Sequence, residues 1–173
     1  MMKLLKKMMI IVASMCLLCG CTKSTIISGG QDTADLPQPD AQGIVWEQLW
    51  EDLADTFEDE DMYPFVETVN GGLFPEENEL RFFLLLNTDI PAEEAAEFAT
   101  EFLKGFNDLI SEQNNKYALS SEDSYGGYVS MYDVYVMVSE DGVKGDKSAW
   151  ILEDQIAAGE YRPVDPEAVP VVQ

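Results

Sequence analysis

The residues able to do chemistry in this chain are few in kind. Of 173 residues, 33 are Asp or Glu, ten are Lys or Arg, three are Cys and none is His. Without histidine there is no Ser-His-Asp triad, no Cys-His pair and no His-based metal site. All three cysteines, Cys16, Cys19 and Cys21, fall within six residues near the start. Carboxylates, a Ser-Lys pair or tyrosines remain. Asp59 and Asp61 alternate, as do Glu77 and Glu79, and the 139–147 loop offers Glu140, Asp141 and Asp146. Calcium takes oxygens from such loops. However, Glu140-Asp141-Gly142 lacks the EF-hand alternation, and Lys144 and Lys147 bring positive charge into that loop, so it reads as a solvated turn. A glycosidase needs two carboxylates across a cleft, and a chain this acidic singles out no pair. Ser148 follows Lys147, but adjacent strand residues point to opposite faces. Tyr125, Tyr128, Tyr132 and Tyr135, with Gly126-Gly127 among them, could form a platform for sugar or peptide. On a strand, Tyr128 and Tyr132 would share one face and Tyr135 the other. The plainer reading is packing in the core and on the sheet, as it is for Trp46 and Trp50. The sequence thus names no catalytic residue, no metal ligand and no cofactor, and the chain is read as a non-enzyme.

The cysteine cluster has a better explanation in its surroundings. Lys3, Lys6 and Lys7 give the N-terminus a positive end, and Met8 to Leu18 is an uncharged apolar run. That run has the length of a secretory signal core and falls short of the ~20 residues that span a bilayer. Leu18-Cys19-Gly20-Cys21 then resembles the lipobox of bacterial lipoproteins: an aliphatic residue, a small residue, Gly or Ala, and the lipidated cysteine. Of the three cysteines only Cys21 follows a glycine. Cys19 departs mildly from the Ala, Ser or Thr usual at its place. The resemblance implies cleavage between Gly20 and Cys21, with a diacylglycerol on the Cys21 sulfur. An uncleaved anchor or an ordinary secretory signal are the other readings of the segment. With Cys16 and Cys19 removed and Cys21 capped, the mature domain has no free thiol and no disulfide. The expected location is the cell membrane, lipid-anchored, on the extracytoplasmic face.

Loss of residues 1–20 removes three lysines and no acid, leaving 33 acids against seven bases, a net charge of −26. Nucleic-acid binding is excluded by that balance, and so is a domain lying flat on an anionic bilayer. Cations, basic peptides and basic proteins stay open as partners. The charge also suffices to keep an exported domain soluble.

Residues 21–43 are rich in Gly, Pro, Ser and Asp and read as a lipidated flexible tether; a coil of ~20 residues reaches about 25 Å on average. Residues 44–161 read as one acidic α+β domain. Trp46, Leu49, Trp50, Leu53 and Phe57 mark one face of a helix over Ile44–Phe57. Met62–Asn70 reads as a strand, with Pro64 placing it at a sheet edge, and Asn70-Gly71-Gly72 as the turn after it. Glu79–Asn87 has an uncharged interior after Arg81 and reads as a central strand covered on both faces. A second helix starts near Pro91, capped by Asp89 or Thr88. It carries an apolar stripe from Ala95 to Ile110 and stops at Asn114-Asn115. Tyr128–Ser139 and Ser148–Glu153 read as the last two strands, with Ile156–Tyr161 ambiguous. Residues 162–173, with Pro163, Pro166 and Pro170, form a Pro-rich tail.

The αββαββ order predicts a two-layer sandwich: four mostly antiparallel strands with two helices on one face. A circularly permuted ferredoxin-like topology has the same order. The functional expectation is a binding or accessory module for an envelope protein or peptide. A small-ligand or calcium receptor is the alternative, and a carboxylate-based hydrolase stands third. The lipobox reading is checked by fractionation: Cys21→Ser is expected to move the protein from the membrane to the soluble fraction, and an unchanged membrane fraction would rule it out.

Overall fold

The computed structural model describes residues 38–140 and 150–168. The signal segment, Gly20, Cys21 and the tether through residue 37 lie outside the described residues. So do residues 141–149, with Asp141, Lys144, Asp146, Lys147 and Ser148, and residues 169–173.

Helix α1 spans Trp46–Phe57, β1 Val66–Phe74, β2 Glu79–Leu86, α2 Ala92–Gln113, β3 Asp133–Glu140 and β4 Trp150–Ile156, with a short 3-10 turn at Val129–Met131. The expected αββαββ order and α+β class are present. The strands lie in the order β1-β2-β3-β4. The outer pairs are antiparallel and β2 pairs with β3 in parallel, Phe83 opposite Met137. A permuted ferredoxin-like sheet would be antiparallel throughout, with the fourth strand between the second and third. Here the chain leaves β2, returns through α2 and enters β3 beside it in the same direction, so the element order agrees and the pairing differs.

Apolar periodicity decides what is buried. Leu49, Leu53 and Phe57 of α1 and the stripe from Ala95 to Ile110 of α2 meet the inward residues of the sheet in one core. Those are Leu80, Phe82, Leu84 and Leu86 of β2, Val134, Val136 and Val138 of β3, and Leu152 and Ile156 of β4. Phe82 is central, its ring 5.2 Å from Phe102 and 4.8 Å from Phe106, both edge-on, the arrangement aromatic quadrupoles favour. Trp46 and Trp50 are half-buried at the rim, each against Phe106.

Several local readings are corrected. The turn between β1 and β2 is Pro75–Asn78, with Asn78 in the left-handed region at φ 58°. Asn70-Gly71-Gly72 sits inside β1. Gly71 is needed there for closeness, since a Cβ would lie 2.3 Å from the Arg81 carbonyl and 2.7 Å from the Phe82 ring. Neither Asp89 nor Thr88 caps α2; Pro91 holds the cap position without a side-chain hydrogen bond. The acids Glu93 and Glu94 in the first turn suit the positive helix end. Tyr128–Ser139 is not one strand, because residues 129–131 form the 3-10 turn and β3 starts at Asp133.

Polar side chains pin the irregular segments to this core. Asn107 of α2 is fully buried; its Nδ2 donates to the Ala118 carbonyl (3.0 Å) and its Oδ1 accepts from the Tyr128 amide (2.9 Å). Gly126, at φ 94°, passes so close that a Cβ there would lie 1.9 Å from Asn107 Nδ2. Residues 38–43, expected as tether, are also fixed. Asp40 accepts from the amides of Gln42 and Ile44 and from the Trp46 indole N–H. Gln42 donates to the Tyr132 hydroxyl (2.8 Å), accepts from the Tyr128 hydroxyl (3.0 Å) and takes Asn114 Nδ2 on its carbonyl (2.8 Å).

Residues 162–168 of the Pro-rich tail are held as well. Val164 is 2% exposed. Asp154 is 6% exposed and pairs with Arg162 through two hydrogen bonds (2.6 and 2.9 Å), while also accepting from the amides of Gln155 and Asp165. Burial pushes the Asp154 carboxyl pKa up, but the Arg162 guanidinium and the Asp165 amide outweigh it and hold the group below the ordinary aspartate value. Replacement by Asn removes the charge and leaves the guanidinium without its partner. Asp154→Asn is therefore expected to cost about 2 kcal/mol in denaturant unfolding. The sign of the pH effect follows from the lowered value. Asp154 stabilises the fold fully above the unfolded aspartate pKa of about 3.9 and loses that contribution as pH falls through its lower folded value. The wild type should lose more stability than Asp154→Asn over that acid range.

Candidate functional site

Side chains alternate along a strand, so every inward residue of β2 leaves a neighbour facing out. The inward set Leu80, Phe82, Leu84 and Leu86 places Glu79, Arg81, Phe83 and Leu85 on the opposite face, where the burial pattern shows them more exposed. Both helices lie on the inward side. The reading of β2 as covered on both faces is corrected: β2 is central in the sheet, and among the described residues helices cover one face only, while Met137 on the other is 7% exposed. Phe83 is 42% exposed.

Its neighbours complete an apolar surface. Across the parallel pair, Phe83 faces Met137, Leu85 faces Ser139 and Arg81 faces Tyr135. Across the hairpin, Phe83 faces Asn70 and Leu85 faces Thr68. A register shift after Val138 brings Trp150 opposite Ser139. Thr68, Asn70, Phe83, Leu85, Met137, Ser139 and Trp150 line a depression of about 370 Å³, and none of them is charged. It runs into a second groove of about 430 Å³ that shares Phe83, Met137 and Trp150 and adds Glu79, Arg81, Tyr135 and Glu153. The surface grades from a neutral apolar end to a carboxylate end. Arg81 is already engaged there: Glu79 accepts from it at 2.6 Å, and its guanidinium lies 4.3 Å from the centroid of the 38% exposed Phe74 ring.

The tyrosines divide as the plainer reading expects. Tyr125, Tyr128 and Tyr132 are buried in the core, and Tyr135 alone of the four joins the open face. The Tyr125 hydroxyl donates to the Arg162 carbonyl (2.7 Å), and burial pushes its pKa up to about 12. Burial raises Tyr128 further, with the nearby Tyr132 hydroxyl adding to it. Neither phenol can supply a phenolate near neutral pH.

The acid clusters do not converge. Asp59 turns its carboxylate back on the amides of Asp61 and Met62. Glu79 is committed to Arg81, and Glu77 lies in the exposed turn. Among the described residues no group of three or more His, Cys, Asp or Glu is placed to hold a metal ion, and no helix is long and apolar enough to cross a membrane. Cys21 and Gly20 lie outside the described residues.

Phe83, Leu85, Met137 and Trp150 were missed as site residues from sequence. The signal was present: two amphipathic helices make one layer, and one layer covers one face of a four-stranded sheet. Thermal unfolding of residues 22–173 in calcium, magnesium and sodium salts at matched ionic strength is expected to give equal small rises, as screening of a diffuse charge would. A saturable rise specific to calcium would instead show a site among the carboxylates. No family model matches the chain, and no curated protein sequence or solved structure is similar to it.

Proposed function

We propose that this chain is an extracytoplasmic lipoprotein, held to the membrane by lipid on Cys21, whose acidic α+β domain binds a protein or peptide partner through the open face of its sheet. The observation that carries the reading is the apolar depression lined by Phe83, Leu85, Met137 and Trp150, in which Phe83 is 42% exposed. Contiguous exposed apolar surface rimmed by polar residues marks interaction sites in soluble domains. Parallel strands are ordinarily covered on both faces, and here, among the described residues, helices cover the β2–β3 pair on one. The anchor follows from the lipobox resemblance at Leu18–Cys21, and the mature charge of −26 keeps the domain off an anionic bilayer.

The strand edges support a face-on mode. On β1, the Glu58 carboxylate accepts from the Val69 amide (2.9 Å) and the Thr68 hydroxyl (2.8 Å), so a donor that an added strand would use is taken. On β4, the Glu153 amide donates to the Ala168 carbonyl of the tail. Such blocking is how sheets avoid edge pairing.

The test is site-specific photocrosslinking in cells that express the full chain. A photoreactive residue in place of Phe83 is expected to give a discrete protein adduct, while one in place of Glu101 on the helical layer gives none. The Phe83 adduct should weaken when Leu85→Ser is added. Equal adducts from both positions, or none from position 83, would remove the reading.

A further inference from the structure

Resting on that reading of the open face, we infer that the occupant is an extended, uncharged peptide segment that lays large apolar side chains across the strands between Thr68 and Trp150. The register sets two rows of side chains over the sheet. Thr68 stands opposite Leu85, Leu85 opposite Ser139 and Ser139 opposite Trp150, so one row crosses all four strands. Asn70, Phe83 and Met137 make the row beside it. With strands about 4.8 Å apart the longer row spans roughly 14 Å, which an extended segment covers with about four residues at ~3.3 Å each. Within the depression of about 370 Å³, Met137 is 7% exposed and Phe83 42%, so the Phe83 ring is the surface left for contact.

Charge and hydrogen bonding select the class. No residue lining the depression is charged, and Arg81 and Glu79 in the adjoining groove are spent on each other. A charged side chain entering here would lose water without gaining a partner, which is costly. The backbone of the occupant also leaves water and needs hydrogen-bond partners. The rim has them. The Ser139 hydroxyl and Asn70 Nδ2 have no partner among the described residues, while Asn70 Oδ1 accepts from the Gly71 amide. The Thr68 hydroxyl donates to Glu58 at 2.8 Å and keeps its lone pairs for an incoming N–H. An apolar centre with unspent neutral polar groups on either side of Phe83 and Leu85 matches a segment of alternating apolar and neutral polar residues. A second copy seated face to face fits less well, since each chain carries 33 acids against ten bases and repels its like.

Residues 22–173 serve for the test, because every buried apolar residue described lies between Ile44 and Val164. The probes are short labelled peptides with capped ends, read by fluorescence anisotropy at ~0.15 M salt, where charges beyond about 8 Å are screened. The first is built of threonine, serine and asparagine and carries leucine and phenylalanine two residues apart, on one face of an extended chain. Three others have lysine, glutamate or serine in place of both apolar residues. The first is expected to bind, and to weaken about tenfold with Phe83→Ser, as loss of a central contact does. Ser139→Ala, which removes a hydroxyl with no partner of its own, is expected to weaken it several-fold. The other three are expected to bind at least about tenfold more weakly. Phe83 lies outside the core, and an unchanged melting curve confirms that the variant is folded. Equal or tighter binding of the lysine or glutamate peptide, still lost with Phe83→Ser, would overturn the uncharged class while leaving the face as a docking surface. Binding of the first peptide that ignores Phe83→Ser and Ser139→Ala would overturn the placement. A dimer in sedimentation that Phe83→Ser abolishes would assign the face to a second copy and overturn the inference. Binding of no peptide would overturn it too, and the crosslinking result at position 83 would report on the face independently.

Discussion

The structure turns on a constraint of layers. A strand places side chains on two faces, and β2 is apolar on both: Leu80, Phe82, Leu84 and Leu86 on one, Phe83 and Leu85 on the other. The described residues supply one helical layer. Phe57, Phe98, Phe102 and Phe106 close over the first face in a run of edge-on and tilted rings. Nothing among the described residues closes over the second. A large apolar side chain left in water forgoes about 1.5–3 kcal/mol of burial free energy. A sheet built only for stability would carry Thr, Lys or Glu at positions 83 and 85.

The same helical layer must also anchor long irregular segments, and it does so with buried polar groups. Asn107 reads both a carbonyl and an amide of the 114–132 connection, and Gln42 spends its whole side-chain amide on Tyr128 and Tyr132. Each is costly to bury unpaired and specific when paired. Asp154 does the same for residues 162–168, with Arg162 as counter-charge. These contacts fix the C-terminal end of α2 and the C-terminal half of β4 against the irregular segments.

What could be read from the sequence was the part governed by one repeat. The stripes of α1 and α2 follow the 3.6-residue period and survive almost unchanged, as do the α+β class and the strand count. The failures have three physical sources. Gly71 was taken as a turn residue because glycine signals turns, but its role is to let two backbones approach under Phe82. The Tyr128–Ser139 run has strand propensity throughout, yet contacts from Asn107 and Gln42, distant in sequence, fold its first residues into a 3-10 turn. The segments at 38–43 and 162–168 look like linker by composition. Specific bonds that composition does not encode hold them: Gln42 reaches Tyr128 and Tyr132, the Val164 amide reaches Thr100, and Asp40 and Arg162 brace their own neighbourhoods.

The candidate site failed to show itself for a related reason. An apolar run such as Phe82 to Leu86 states how much of a strand avoids water, not which molecule covers it. Read within one chain, both faces must be assigned to that chain. Counting layers changes the assignment, because α1 and α2 together cover one face and no helix among the described residues covers the apolar surface that remains. At one end of that surface Arg81 is paired with Glu79 and packed on Phe74, so charge there is spent within the chain, and the neutral end from Thr68 to Leu85 is left to contacts that periodicity alone cannot assign.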